Sequence, residues 1–146
     1  MIFLKNIILF NFFLSLFTGL AFGKSQWFHS SGNYESQRYS NLNQITKKNI
    51  SDLNKVWTFN SGKTDKKNVV QATPIFIDDK LIVVDIFGGV YALNPKNGKK
   101  IWYKKLKPPA GRRGITSYKK NKPNIYISTK NSVVELDART GNILKE

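Results

Sequence analysis

"IVVDIFGGVYALNPKNGKKI" (82–101) aligns with "IYISTKNSVVELDARTGNIL" (125–144) without a gap, at a period of 43 residues. Val90 falls on Val133, Leu93 on Leu136, Asn94 on Asp137 and Gly98 on Gly141. A partial echo lies upstream, where "LNKVW" (53–57) falls on "GKKIW" (98–102) and sets Trp57 over Trp102; the third such position holds Lys145. Within one period the runs "VVQATPIFI" (69–77), "KLIVVDIF" (80–87), "GVYALN" (89–94) and "KKIWYKKL" (99–106) are rich in β-branched and aromatic residues. Turn signals at Asp78-Asp79, Gly88-Gly89 and Asn97-Gly98 separate them, which predicts four short antiparallel strands. A four-stranded sheet apolar on both faces must stack on neighbours to bury them, and a period near 43 is that of propeller blades. The expected fold is all-β: a partial β-propeller of about two four-stranded blades. Even a four-bladed ring needs roughly 160 residues at about 40 per blade, more than the 146 present, so the ring is not closed within this chain.

Outward from the repeats, residues 1–23 carry a single Lys5, an apolar run and then Ala21 and Gly23 two apart. That pattern is a secretory signal with cleavage before Lys24, the alternative being an uncleaved anchor. Residues 24–61 form a lead-in segment in which Thr46 is placed to cap one short helical turn. Residues 62–146 are the repeat region, predicted to be cut short inside its last blade.

The chain carries 24 Lys and Arg against 9 Asp and Glu, a formal charge of +15. Such a balance suits nucleic acid in general, but an exported chain does not meet chromosomal DNA, so no nucleic-acid partner is expected. Most lysines lie in turn-like stretches such as "PKNGKK" and "YKKNKP", as on a solvated surface. With no cysteine there is neither a disulfide nor a lipid-modified N-terminal Cys.

The ordered set "GNYESQRYSNLNQI" (32–45), "ATPI" (72–75), "YALNPKNGKKIW" (91–102) and "RGITSY" (113–118) resembles the start of the pyrroloquinoline quinone (PQQ) dependent dehydrogenases. The likeness spans nearly all of the chain beyond residue 23, and lack of adjacent cysteines before "RG" resembles the sugar-oxidising, glucose dehydrogenase-like branch. What it implies is an eight-bladed propeller holding PQQ, with Ca²⁺ beside it, that oxidises aldose sugars or alcohols in the periplasm and passes electrons to a quinone or separate carrier. By resemblance Arg113 matches the family's PQQ-contacting arginine. Gln71 stands where many members place a cofactor-contacting glutamate. Arginine suits a flat anion with several carboxylates, because its planar fork donates two parallel hydrogen bonds and stays charged. The family's catalytic aspartate and metal ligands are expected in later blades, so no catalytic or metal residue is assigned in this chain.

Other residues have plainer readings. Trp57 and Trp102 read as rings that seal one sheet against the next, and Asp78 and Asp79 as hairpin residues. Arg112 reads as a surface cation, and His29 as a lone imidazole without a second ligand at metal spacing. An open stack is expected to expose strand edges and an apolar face, favouring self-association or pairing with further blades. The competing reading is a cofactor-free repeat scaffold of the cell envelope.

Overall fold

The computed structural model describes residues 26–62, 70–111, 113–119 and 122–146. The predicted signal and Arg112 lie outside the described residues. Eight strands form two four-stranded antiparallel meanders, each in simple chain order. The first sheet contains β1 (Ile75–Ile77), β2 (Lys80–Val84), β3 (Gly89–Leu93) and β4 (Lys100–Lys105). The second contains β5 (Thr116–Lys119), β6 (Pro123–Ser128), β7 (Val133–Asp137) and β8 (Ile143–Lys145). The two halves of the sequence repeat therefore become two copies of one supersecondary unit.

Turn chemistry sets the register. Asp78 and Asp79 take φ of 50° and 57°, the left-handed pair a two-residue hairpin demands, and Ile77 pairs with Lys80 across them. Asn94 and Asp137 organise the third turn of each blade in the same way. Gly98 N–H donates to the Asn94 carbonyl and Gly141 N–H to that of Asp137, both at 2.8 Å. The β2–β3 turn is built on Asp85, whose Oδ1 accepts the N–H of Phe87 (2.8 Å) and Gly89 (2.7 Å) while Oδ2 accepts the Tyr91 hydroxyl (2.8 Å).

The core lies between the sheets. Strand alternation sends Ile125 and Ile127 of β6 inward and Asn124 and Tyr126 outward. Ile75, Ile77, Ile82 and Val90 of the first sheet join Ile125, Ile127, Val134 and Leu136 of the second in one buried cluster. At the outer rim, a tryptophan from one layer seats on the next. Trp102 of β4 donates its indole N–H to the Ala138 carbonyl (3.1 Å), and its ring covers Gly141. Trp57 makes the equivalent pair of contacts with the Pro95 carbonyl (2.9 Å) and Gly98. A Cβ at Gly98 or Gly141 would stand 2.5 or 2.6 Å from the indole carbons, and both glycines have positive φ, so the position accepts glycine alone. The expected sealing role of both tryptophans is what the structure shows.

Three differences from expectation have local causes. The run 69–77 forms a strand over Ile75–Ile77 alone, because Pro74 has no N–H to add to a ladder. The helical turn is a 3-10 turn at Ile50–Asp52, where Asn49 stands at the N-cap without a side-chain capping bond. Thr46 is not that cap; its Oγ1 accepts the Lys48 N–H at 3.3 Å instead. Finally, the outer face of the second sheet is polar and aromatic rather than aliphatic. It carries Tyr118, Asn124, Tyr126 and Glu135, with Asn124 and Tyr126 both donating to Glu135 Oε1 (2.6 and 2.9 Å).

Candidate functional site

β1 and β5 are edge strands of separate sheets, and the N-terminal segment ties them together. Trp27 forms an antiparallel bridge with Phe76 of β1, and His29 forms one with Thr116 of β5. Ser117 clamps the junction by donating its N–H and its hydroxyl to the Phe28 carbonyl, both at 2.9 Å. The chain approaching each edge strand reaches the same end of the stack.

Gln71 lies four residues before β1 and Arg113 three residues before β5. They are 42 residues apart, almost one repeat, so stacking of equivalent blades brings them side by side. Arg113 Nε donates to Gln71 Oε1 at 3.1 Å, and both side chains are exposed. Among the described residues no other hydrogen bond or ion pair engages this guanidinium. Its outward Nη edge therefore keeps a full charge and two parallel donors, the geometry that grips a carboxylate.

The two glycines flanking the arginines hold this loop close to β6. Gly111 N–H donates to the Ser128 carbonyl, and Ala110 bridges Thr129. A Cβ on Gly114 would lie 1.9 Å from Ser128 Oγ, so a side chain there would push the loop and Arg113 away from the sheet.

Beside Arg113 opens a cleft of about 400 Å³ on the outer face of the second sheet, lined by His29, Ser30, Thr116, Tyr126 and Ser128 among others. No carboxylate lines it. The bond to Glu135, then burial, pushes the Tyr126 phenol up, keeping it a neutral hydroxyl. Burial, with Tyr118 and Tyr126 nearby, does the same for Tyr34. A donor-rich wall with one uncompensated guanidinium can bind and orient an anion; it contains no paired acid and base for proton transfer. Among the described residues no group of three His, Asp or Glu stands ready to hold a metal ion, and no helix is long and apolar enough to cross a membrane.

Sequence reasoning singled out Arg113 and Gln71, which the fold joins. It passed over His29, Tyr126 and Ser128, which come to the same cleft from two other segments. The one available signal was alternation in β6, which puts Tyr126 and Ser128 on one face.

Comparison with known proteins is consistent with this architecture. Residues 27–146 match the family model described as the glucose/ethanol/alcohol dehydrogenase β-propeller domain, named PQQ. The chain is 31% identical over 128 residues to the quinohemoprotein alcohol dehydrogenase ADH-IIG of Pseudomonas putida, covering 79% of this chain and 17% of that protein. It is 30% identical over 131 residues to the methanol dehydrogenase [cytochrome c] subunit 1 of Methylobacterium organophilum, covering 79% of this chain and 20% of that one. The quinoprotein glucose dehydrogenase of Escherichia coli matches at 32% over 76 residues, or 49% of this chain and 10% of that protein. Identity therefore does not separate the alcohol and glucose branches. Among solved structures, the ADHIIG enzyme of Pseudomonas putida HK5 superposes with a TM-score of 0.68 at 27% identity, over 83% of this chain and 18% of that one. The chain thus spans about a fifth or less of these relatives' length.

Proposed function

Because the chain belongs to the glucose/ethanol/alcohol dehydrogenase β-propeller family, we propose that it supplies the first two blades, and one wall of the cofactor site, of a periplasmic PQQ-dependent dehydrogenase. The complete enzyme oxidises an alcohol or an aldose sugar and passes electrons to a quinone or separate carrier; this chain alone is inactive. One observation carries the reading: Arg113 and Gln71, from two successive blades, meet at 3.1 Å where the edge strands converge.

The residues fit a planar polycarboxylate. Arg113 has an unengaged Nη edge, the adjoining cleft contains no carboxylate, and Gly114 lets the loop lie flat on β6. PQQ, when bound, supplies a quinone carbonyl carbon that accepts hydride. Within this chain the work is binding and orientation. Gln71 holds Arg113 by Nε, which turns the two Nη groups outward to fork onto a carboxylate. Because Gln71 is neutral, it does not neutralise the arginine as a glutamate in that place would. The metal of the complete enzyme, calcium by family resemblance, belongs to blades beyond this chain, as do the catalytic groups.

The test is equilibrium dialysis of PQQ against the full chain and Arg113→Ala. A charge-assisted fork is worth about 1.5–3 kcal/mol, so the variant is expected to bind roughly tenfold or more weakly. Equal affinity of the two proteins for PQQ would refute the assignment of Arg113.

A further inference from the structure

His29 lines the same cleft as Arg113, yet it comes from the N-terminal segment and has no place in the motif set that marks Arg113 and Gln71. Its ring is held from two sides. The backbone bridges both Gly32 and Thr116, and the imidazole stacks on Tyr34 with centroids 5.6 Å apart. The Ser31 N–H donates to Nδ1 at 3.2 Å, so the neutral imidazole carries its proton on Nε2. That Nε2 is buried and meets no acceptor. An oriented donor left without an acceptor, on the wall of a cleft free of carboxylates, is a vacancy for an anion's oxygen.

We infer that His29 is a second anchor for the ligand of this cleft, its Nε2–H donating to a carboxylate of the planar anion that Arg113 grips. The inference rests on the proposed cofactor reading and adds to it a residue from the N-terminal segment. Ser30 and Ser128 offer hydroxyls on the same wall. The nearest acid, Glu135, does not line the cleft; its Oε1 is occupied by Asn124 and Tyr126. Orientation by Tyr34 and Ser31 makes His29 a binding residue, with no proton transferred.

The chain contains a single histidine, so its imidazole resonances need no assignment. PQQ is titrated into the ¹⁵N-labelled full chain while the imidazole ¹⁵N and carbon-bound proton signals are followed. Trimesate, a flat tricarboxylate without a quinone, is titrated in parallel. The expected result is the Nε2–H tautomer in the free protein, shifts that saturate with PQQ occupancy, and competition by trimesate. His29→Phe should bind PQQ about tenfold more weakly, while His29→Gln, which keeps an N–H donor, recovers most of the affinity. If PQQ binding depends on Arg113 but leaves the imidazole signals still, or if trimesate does not compete, the role of His29 is overturned and the cofactor reading stands. Binding indifferent to Arg113→Ala overturns both. Should His29→Phe fail to fold, the titration of the unaltered chain still decides.

Discussion

Asp85 is 8% exposed and still ionised, because every oxygen has a donor. Burial pushes its carboxyl up, but the Gly89 N–H, the Tyr91 hydroxyl, the Phe87 N–H and the Lys105 charge together outweigh it and hold the group below the ordinary carboxylate range. Burial, reinforced by Asp85, pushes the Tyr91 phenol well up, so that hydroxyl remains a donor at any working pH. Lys105 also donates to the Phe87 carbonyl, fastening β4 to the same turn. Since the folded carboxyl titrates below the unfolded one, its stabilisation is complete above about pH 4 and is lost as pH falls through the depressed folded value. Asp85→Ala leaves two N–H groups and a buried phenol without an acceptor, and should cost about 2–4 kcal/mol at neutral pH in urea melts. The unaltered protein should lose stability below pH 4 more steeply than Asp85→Asn; parallel profiles would show that this carboxylate is not the linked group. Nothing in the composition distinguishes Asp85 from the turn aspartates Asp78 and Asp79, because its burial depends on β3 and β4 folding around it.

At the level of elements, the tryptophans at the rim connect one layer to the next, but they differ in what they hold. Trp102 belongs to β4 and joins two complete sheets, whereas Trp57 pins a segment with no strand pairing. That segment has one further support, Phe59 packed edge-on against Tyr91 at 5.1 Å. Trp102→Ala should therefore lower global stability by about 3 kcal/mol. Trp57→Ala should speed amide hydrogen exchange across 53–61 while moving the unfolding midpoint less. Equal effects on the midpoint would mean that the lead-in segment is part of the cooperative core. The strands themselves were legible in the period-2 pattern, and the turns in Asp-Asp, Asn-Gly and Thr-Gly. The length of β1 was not, because strand ends depend on whether a neighbour offers a ladder, and the chain before Pro74 has none.

Across the whole molecule, two sheets share one aliphatic layer, so they are expected to unfold as a single unit. Ile82→Ala in the first sheet should cost about 2–5 kcal/mol and loosen both sheets equally; separate thermal transitions for the two blades would contradict this. The far face of the second sheet, with Tyr118 at 51% exposure and the Glu135 hydrogen bonds, is a polar platform next to the cleft rather than bare core. Period, strand alternation and turn residues are local properties, and they alone were enough to settle the fold class, the blade count and the pairing of Trp57 with Trp102. The site arises differently. Arg113 and Gln71 meet because two repeats stack nearly in phase, and His29 joins them because β1 and β5 both pair with the N-terminal segment. Those contacts link residues up to 84 positions apart, and no local pattern records such a distance; it is set by how the sheets pack.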